Sequence, residues 1–267
     1  MKKKVIQWNS VIALVTLALF LYACGTGKSK TGKNEEGTEQ QIMVFAAASL
    51  TDVLSEIIDS FEVKTHIMVQ TNMASSGTLA RQIEQGGSPD IFISASKKWA
   101  NYVDSMGLIL PGFREEIAQN ELVLIAPINT TLKAEKIDST LDFISLTGTG
   151  RLSIGDPAHV PAGKYARQSL EYFGWYKPLE NKTLPAKDVR SALMVVEMEE
   201  SPIGIVYKTD AMKSGKVIIL TKFPDKSHKP IVYVAGVCKD NPAAKEFFTF
   251  LNSGETLPIW VKYGFKK

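Results

Sequence analysis

The chain has 267 residues, of which 45% are hydrophobic and 22% are charged, a composition typical of a globular protein with one large domain or two smaller ones. It excludes disorder, collagen and coiled coil as descriptions of the whole chain. The formal net charge is +3, but Lys2, Lys3 and Lys4 supply that excess. The rest of the chain is close to neutral, so no nucleic-acid-binding field is expected.

The first 23 residues have the features of a bacterial export signal. Three lysines precede the apolar run Val11–Leu21, which is too short to span a bilayer comfortably. The run ends in Leu21-Tyr22-Ala23-Cys24-Gly25, which resembles a lipobox with Cys24 as the lipidated residue. We predict a lipoprotein signal peptide over 1–23 and a lipid anchor at Cys24. A plain signal anchor, or cleavage near Ala23, is the alternative.

Residues 24–41 predict a flexible tether. After Cys24 this segment is rich in Gly, Lys, Thr and Glu and lacks aromatic and branched aliphatic residues, so it cannot bury enough surface to fold. The chain's other cysteine, Cys238, ends the apolar run Ile231–Val237 and is predicted to be a small buried hydrophobe without a disulfide partner. The three histidines are too scattered to predict a zinc site.

Strand-like and helix-like segments alternate after the tether, which predicts an α/β fold with parallel strands. Leu50, Val53, Leu54, Ile57, Ile58 and Phe61 recur at helical spacing and form one apolar stripe. Ser49 and Asp52 have the spacing of a capping box, which predicts Ser49 as the N-cap of that helix. The segments are a strand over Ile42–Ala48, a helix over 50–62, a strand over His66–Asn72, a helix over 78–86 and a strand over Asp90–Ala95.

Strand-to-helix loops recur further along the chain. Helices are predicted after Ala74–Gly77, after Val160–Gly163 and from Lys187–Arg190, while Gly204–Tyr207 reads as a strand that ends in a turn. In α/β sheets, ligands bind where strands end and helices begin. Two pairs of such loops, distant in sequence, predict two lobes that face each other across a cleft.

The predicted lobes are discontinuous in sequence. The first takes residues 42–122 and 233–267, including a helix that begins at Asn241-Pro242. The second takes residues 123–232. The predicted crossing strands lie near Glu121–Pro127 and Lys229–Val234.

Seven sequence blocks resemble the family of periplasmic molybdate-binding proteins of bacterial ABC importers, which are small two-lobed (class II) solute-binding proteins. The resemblance extends from Ile42 to the C-terminus, and it implies a binding protein, not an enzyme, that delivers molybdate or tungstate to a membrane permease. The blocks are Val44–Thr51, Ala74–Ile83, Asp90–Ala95, Gly155–Gly163, Asp188–Arg190, Gly204–Tyr207 and Lys262–Phe265.

The resemblance also implies which residues bind the oxyanion. Ser49 and Ser76 would contribute hydroxyl and amide groups, Ala162 and Val189 their backbone amides, and Tyr207 its hydroxyl. Many members of this family carry a further serine where this chain has a glycine, Gly77, so only the backbone could replace that contact. No cofactor is implied, and no protein atom would coordinate the metal directly, because the oxyanion is held through its oxygens.

Elementary chemistry favours the same set of residues. Molybdate is a tetrahedral dianion whose oxygens only accept hydrogen bonds, and helix N-termini offer unpaired N–H groups and a positive dipole end. Ser49, Ser76, Ala162 and Val189 are predicted at such starts, and Tyr207 is not. Arg190 follows Asp188, whose carboxylate would repel a dianion unless it caps the helix. Arg190→Ala is therefore expected to leave the affinity within severalfold.

Several further expectations and alternatives complete the interpretation. We expect an exported monomer, held by lipid on the outer face of a membrane or in the periplasm. A receptor for another oxyanion such as sulfate is the alternative on the same scaffold. A serine esterase with a Ser49–His159 pair is a remote alternative, because no Gly-x-Ser-x-Gly turn surrounds Ser49. A purely structural surface lipoprotein is a third.

Overall fold

The computed structural model describes residues 40–133 and 136–267. The predicted signal peptide over 1–23, Cys24 and all of the predicted tether except its last two residues lie outside the described residues. Within the described part, no helix combines the length and the apolar character that a membrane crossing requires.

Ten strands form the two sheets of the described chain. In chain order they are β1 (Gln41–Ala47), β2 (Met68–Ala74), β3 (Ile91–Ser94), β4 (Arg114–Asn120), β5 (Leu122–Pro127), β6 (Leu152–Gly155), β7 (Thr183–Ala186), β8 (Ile203–Tyr207), β9 (Val217–Lys222) and β10 (Ile231–Val237).

Nine α-helices connect or flank these strands within the described residues. They are α1 (Thr51–Thr65), α2 (Ser76–Glu84), α3 (Lys97–Ser105), α4 (Pro161–Tyr172), α5 (Tyr176–Leu179), α6 (Val189–Glu197), α7 (Lys208–Lys213), α8 (Pro242–Leu251) and α9 (Leu257–Lys262). Short 3₁₀ turns lie at Ala48–Leu50, Ser145–Thr147, Glu180–Lys182 and Asp225–Ser227.

Each sheet is mixed. The first has the order β2-β1-β3-β10-β4 and the second the order β7-β6-β8-β5-β9. β1 runs parallel to β2 and β3, and β6 runs parallel to β7 and β8, whereas β10, β4, β5 and β9 pair antiparallel with their neighbours. The predicted α/β fold class is confirmed, and the parallel arrangement holds for the three strands from which it was predicted. The lobe boundaries at residues 122 and 233 stay a prediction.

The apolar stripe predicted for the first helix is confirmed in α1. Val53, Leu54, Ile57, Ile58 and Phe61 are all buried. On the same sheet, α8 begins as its Asn-Pro start predicts, because the Asn241 side chain accepts the Ala243 N–H at 3.0 Å.

The predicted capping box at Ser49 is wrong. A 3₁₀ turn over Ala48–Leu50 separates β1 from α1, the helix begins at Thr51, and no side chain caps it. The Ser49 hydroxyl hydrogen-bonds to the Tyr233 hydroxyl instead, at 2.8 Å. The Asp52 carboxylate pairs with Arg190. Tertiary partners therefore take both groups that would have formed the local cap.

Glu121 is the single residue between β4 of the first sheet and β5 of the second. Its side chain is only 10% exposed and accepts hydrogen bonds from three lysines, Lys208 at 2.9 Å, Lys222 at 2.5 Å and Lys266 at 2.9 Å. Burial alone would raise the pKa of the Glu121 carboxyl, but these bonds outweigh it and lower the pKa to about 2. At this crossing between the sheets, the charges of three lysines thus compensate the Glu121 carboxylate.

Cys238 is a free cysteine that follows β10 directly. It is half-buried, so the predicted burial of this side chain is confirmed only in part. Burial raises the pKa of its thiol to about 12, which leaves it protonated near neutral pH.

Candidate functional site

A small cavity lies where strand ends of both sheets meet helix starts. Its empty space, counted together with the adjoining solvent, is about 200 Å³. All five residues predicted to bind the oxyanion line it. The lining residues are Ala47, Ala48, Ser49, Ser75, Ser76 and Ala95 from the first sheet and its helices, and Val160, Pro161, Ala162, Asp188, Val189 and Tyr207 from the second. We call this space the donor cavity.

Three of these residues bring unpaired backbone N–H groups to the donor cavity. Ser76 is the first residue of α2, Ala162 the second of α4 and Val189 the first of α6. Amides at these positions have no acceptor within their own helix. Among the described residues, no hydrogen bond uses any of these three N–H groups. The N-terminal ends of three helix dipoles also meet at this cavity.

The sequence around each helix start explains its position. The Ser75 hydroxyl caps α2 by accepting the Thr78 N–H at 3.2 Å, and Pro161 occupies the first turn of α4. Gly163 lets α4 begin directly against the end of β6, because a Cβ atom there would lie 1.7 Å from the Gly155 carbonyl oxygen. This close approach brings the Ala162 amide to the cavity.

The Tyr207 hydroxyl is a buried polar group that has no hydrogen-bond partner among the described residues. The side chain is 1% exposed, and burial keeps its pKa well above the ordinary value, so the hydroxyl remains a neutral donor. Tyr207 precedes α7 directly, so it also lies at a helix start, contrary to the sequence-based expectation. A buried hydroxyl without a partner is costly, and a ligand that accepts a hydrogen bond from it would remove that cost.

A chain of hydrogen bonds orients the Ser49 hydroxyl. The Glu121 N–H donates to the Asn120 side-chain oxygen at 2.8 Å, so the Asn120 amide nitrogen faces Tyr233 and donates to its hydroxyl oxygen at 3.1 Å. The Tyr233 hydroxyl is then free to donate to Ser49 Oγ, 2.8 Å away. Either hydroxyl of this pair can donate, and when Tyr233 donates, the Ser49 O–H is available for a hydrogen bond to an acceptor in the cavity.

The Ser76 hydroxyl is prepared in a similar way. Its oxygen accepts the Ala95 N–H at 2.9 Å, and the side chain is fully buried. Because the Ser76 oxygen is the acceptor of that bond, its O–H group remains free to donate a hydrogen bond to a ligand.

Gly77 does not line the donor cavity. Its N–H donates to the His159 carbonyl at 3.1 Å, so the backbone replacement considered for the missing serine contact is not offered here. A Cβ atom at this position would lie 2.3 Å from that carbonyl oxygen and 2.7 Å from the Trp99 ring. The absence of a side chain therefore allows α2 of the first sheet to contact the loop before α4 of the second.

Among the described residues that line the donor cavity, none is lysine or arginine. Asp188 is the one acidic lining residue, and its carboxylate accepts the Ser191 N–H at 2.7 Å as the cap of α6. Arg190 faces elsewhere and pairs with Asp52 of α1 and Asp210 of α7. Burial raises the pKa of the Asp210 carboxyl, an effect that the adjacent Arg190 opposes. The charges of Arg190, Asp52 and Asp210 therefore compensate one another outside the donor cavity.

The remote esterase alternative gains no support from the geometry. Ser49 Oγ is bonded to Tyr233, and His159 Nδ1 lies 3.5 Å from Asp156 Oδ2. No hydrogen bond joins Ser49 to His159 among the described residues, so the required base does not contact the candidate nucleophile.

Sequence reasoning missed Tyr233, Asn120 and Asp210. Tyr233 belongs to the apolar run that reads only as a buried strand, and Asp210 follows Tyr207 without a recognisable motif. Their roles depend on contacts between segments far apart in the chain, such as the 184 residues between Ser49 and Tyr233.

Comparisons with known proteins agree with the fold. A family model described as "Bacterial extracellular solute-binding protein" matches residues 42–266. The "Molybdate-binding protein ModA" of Escherichia coli is 42% identical over 87% of this chain and 91% of its own. The "Putative ABC transporter substrate-binding lipoprotein YvgL" of Bacillus subtilis is 36% identical over 97% of this chain and 98% of its own.

A solved structure is similar as well. The substrate-binding domain of a putative molybdenum ABC transporter from Clostridium difficile has a TM-score of 0.64 and 31% identity, over 85% of this chain and 98% of that one. The two-sheet α/β architecture of this chain is thus an architecture found in substrate-binding proteins.

Proposed function

The chain belongs to the bacterial extracellular solute-binding protein family, and we propose that it captures molybdate outside the cytoplasm and delivers it to the permease of an ABC importer. The observation that carries the proposal is the set of unpaired neutral donors around the donor cavity, above all the buried Tyr207 hydroxyl. Relatives whose names state molybdate binding support it.

The proposed contacts are the N–H groups of Ser49, Ser76, Ala162 and Val189 and the hydroxyls of Ser49, Ser76 and Tyr207. A hydrogen bond to a charged ligand contributes roughly 1.5–3 kcal/mol. Micromolar to nanomolar affinity requires about 8–12 kcal/mol. About seven donors are therefore sufficient even after desolvation and ordering costs.

Neutral donors also account for selectivity. Phosphate carries a proton near neutral pH, and that proton would face donors, because the one carboxylate that lines the cavity, Asp188, is engaged as the cap of α6. Sulfate is fully ionised but smaller than molybdate, so fixed backbone amides would not all reach its oxygens. Tungstate matches molybdate in charge and almost in size. We propose that tungstate binds comparably and that sulfate and phosphate bind far more weakly.

Ligand contacts from both sheets would favour a closed arrangement of two lobes through their higher affinity for it, and a permease would recognise that arrangement. We further propose that the protein is a monomer without enzymatic activity and that Cys24 carries a lipid anchor. The similarity to a relative named a lipoprotein over 97% of this chain supports the anchor.

Thermal unfolding of the purified protein with a panel of oxyanions tests the proposal. A ligand at 100 times its dissociation constant stabilises the folded state by roughly 2.7 kcal/mol. Molybdate and tungstate are expected to raise the melting temperature while sulfate and phosphate at the same concentration do not. Stabilisation by sulfate equal to that by molybdate would favour the alternative receptor, and no response to any oxyanion would reject an oxyanion-binding function.

A further inference from the structure

A second, larger cavity adjoins the donor cavity. It contains about 930 Å³ of space not filled by protein atoms and is open to solvent. Pro161 lines both cavities, and Ser96 of the larger one follows Ala95 of the donor cavity directly, so the two are neighbours on both sheets. The lining residues are Ser96, Lys97, Lys98, Asn101, Pro161, Lys164, Tyr165, Gln168, Lys229 and Pro230. We call it the lysine cavity.

Three of its lysines carry charges that no carboxylate balances among the described residues. Lys98 lies on α3, Lys164 on α4 and Lys229 just before β10, and none of them forms an ion pair in the described part of the chain. Lys97 differs because it pairs with Glu116. Three segments from different parts of the fold therefore bring uncompensated positive charge to one cavity.

The lysines are close enough to influence one another. The pKa of Lys164 is lowered first by burial and then by the charges of Lys98 and Lys229. The Lys229 N–H donates to Gln168 Oε1 at 3.0 Å, which holds that segment against α4. Like charges held together in a solvent-filled space produce a local positive potential that attracts anions.

The donor cavity itself cannot supply such attraction at long range. Its contacts are neutral N–H and O–H groups whose effect falls off within a few ångströms, and its one acidic lining residue is Asp188. Long-range attraction of a dianion towards this region therefore comes from the lysine cavity and not from the donors.

We propose that the lysine cavity is an outer encounter site for doubly charged oxyanions, from which they pass to the adjacent donor cavity. The inference rests on the proposed function. Ammonium groups on flexible stems are strongly hydrated point charges with no fixed geometry, so the outer site holds oxyanions weakly and without selecting among them. It accelerates association, whereas the donor cavity determines which anion is retained.

Stopped-flow kinetics of molybdate binding, followed by intrinsic fluorescence, test this inference. Three proteins are compared: the unaltered protein, the triple variant Lys98→Gln, Lys164→Gln and Lys229→Gln, and a control triple variant. The control carries Lys177→Gln, Lys182→Gln and Lys216→Gln. Lys177 follows the C-terminal end of α4, and Lys182 and Lys216 directly precede β7 and β9. These ends of the helix and the strands are remote from the donor cavity. Both triple variants lose the same net charge.

Association is measured at about 0.01 M and at about 1 M salt, where the screening length falls from about 30 Å to about 3 Å. We expect the lysine-cavity variant to associate about tenfold more slowly than the unaltered protein at low salt. At high salt the rates should converge, with dissociation rates within twofold throughout. The control variant should retain most of the low-salt rate.

Equal association rates for the unaltered protein and the lysine-cavity variant would overturn the inference while leaving the proposed function intact. An equal loss in the control would also overturn it, because net charge and not position would then set the rate. A change confined to dissociation would show that the lysines touch the retained ion, which contradicts an outer site. If the unaltered protein binds no molybdate in calorimetry, the proposed function fails and the inference fails with it.

Discussion

Tyr207→Phe separates a ligand-binding role of this hydroxyl from a structural one. The hydroxyl is buried and has no partner among the described residues, so its removal breaks no hydrogen bond of the ligand-free protein. An unpaired buried hydroxyl costs about 1–3 kcal/mol, and the ligand-free variant should therefore be as stable as the unaltered protein or more stable. With molybdate bound, the variant lacks one hydrogen bond to a charged ligand, worth about 1.5–3 kcal/mol. The dissociation constant should rise about 10- to 150-fold.

Isothermal calorimetry gives the affinity, and urea unfolding without ligand gives the stability. Tyr233→Phe is the matched control, because that hydroxyl bonds to Ser49 at 2.8 Å and to Asn120 at 3.1 Å. The control should lose about 1–3 kcal/mol of ligand-free stability and only a few-fold in affinity. If Tyr207→Phe destabilises the ligand-free protein, or leaves the affinity for molybdate unchanged, the assignment of this hydroxyl as a ligand donor is refuted.

Three further substitutions test other contacts. Arg190→Ala leaves the buried Asp210 carboxylate without its cation, so urea unfolding should show a loss of stability of about 3–5 kcal/mol that Asp210→Asn partly restores. The affinity for molybdate should change only severalfold. A hundredfold loss of affinity would contradict a site made of neutral donors alone. Gly77→Ser introduces a side chain where α2 contacts the loop before α4, so calorimetry should show at least tenfold weaker binding. The control Gly215→Ser, in open space, should bind normally. Glu121→Gln should cost about 2 kcal/mol at pH 7 after allowance for solvent screening. Because folding lowers this pKa from 4.5 to about 2, the contribution is fully present above pH 4.5 and is lost as the pH falls towards 2, so a constant difference in urea stability between pH 7 and pH 2 would contradict it.

The part of the site that could be predicted from sequence is the part with local signals. Pro161 at a helix start and the Asp188 cap of α6 are visible within a few residues, and they position the Ala162 and Val189 amides. The sequence order of strands and helices likewise predicts the α/β architecture, because hydrophobic periodicity is a local property.

The remaining features are determined by tertiary contacts. Ser49 has the spacing of a helix cap, yet its hydroxyl bonds to Tyr233, 184 residues away. No local pattern predicts that partner, because Tyr233 lies in a continuous apolar strand, where tyrosine is a common residue. Similarly, no local pattern explains the glycine at position 77, and only the approach of the His159 carbonyl and the Trp99 ring shows why a side chain does not fit.

The placement of charge is consistent with selection of large, fully deprotonated dianions over smaller or protonated ones. An arginine or lysine in contact with the ligand would strengthen binding to every anion, and this chain keeps Arg190 paired with two aspartates outside the donor cavity. Fixed amides and hydroxyls instead bind most tightly to an ion of matching size that carries no proton, because the directions of their N–H and O–H bonds cannot adjust to another ion. Such a site exerts little attraction on an anion at a distance. The lysine cavity supplies that attraction from charges that do not contact the retained ion. Under this division of roles, substitutions in the lysine cavity change the association rate for all dianions alike, and substitutions in the donor cavity change the ranking among them.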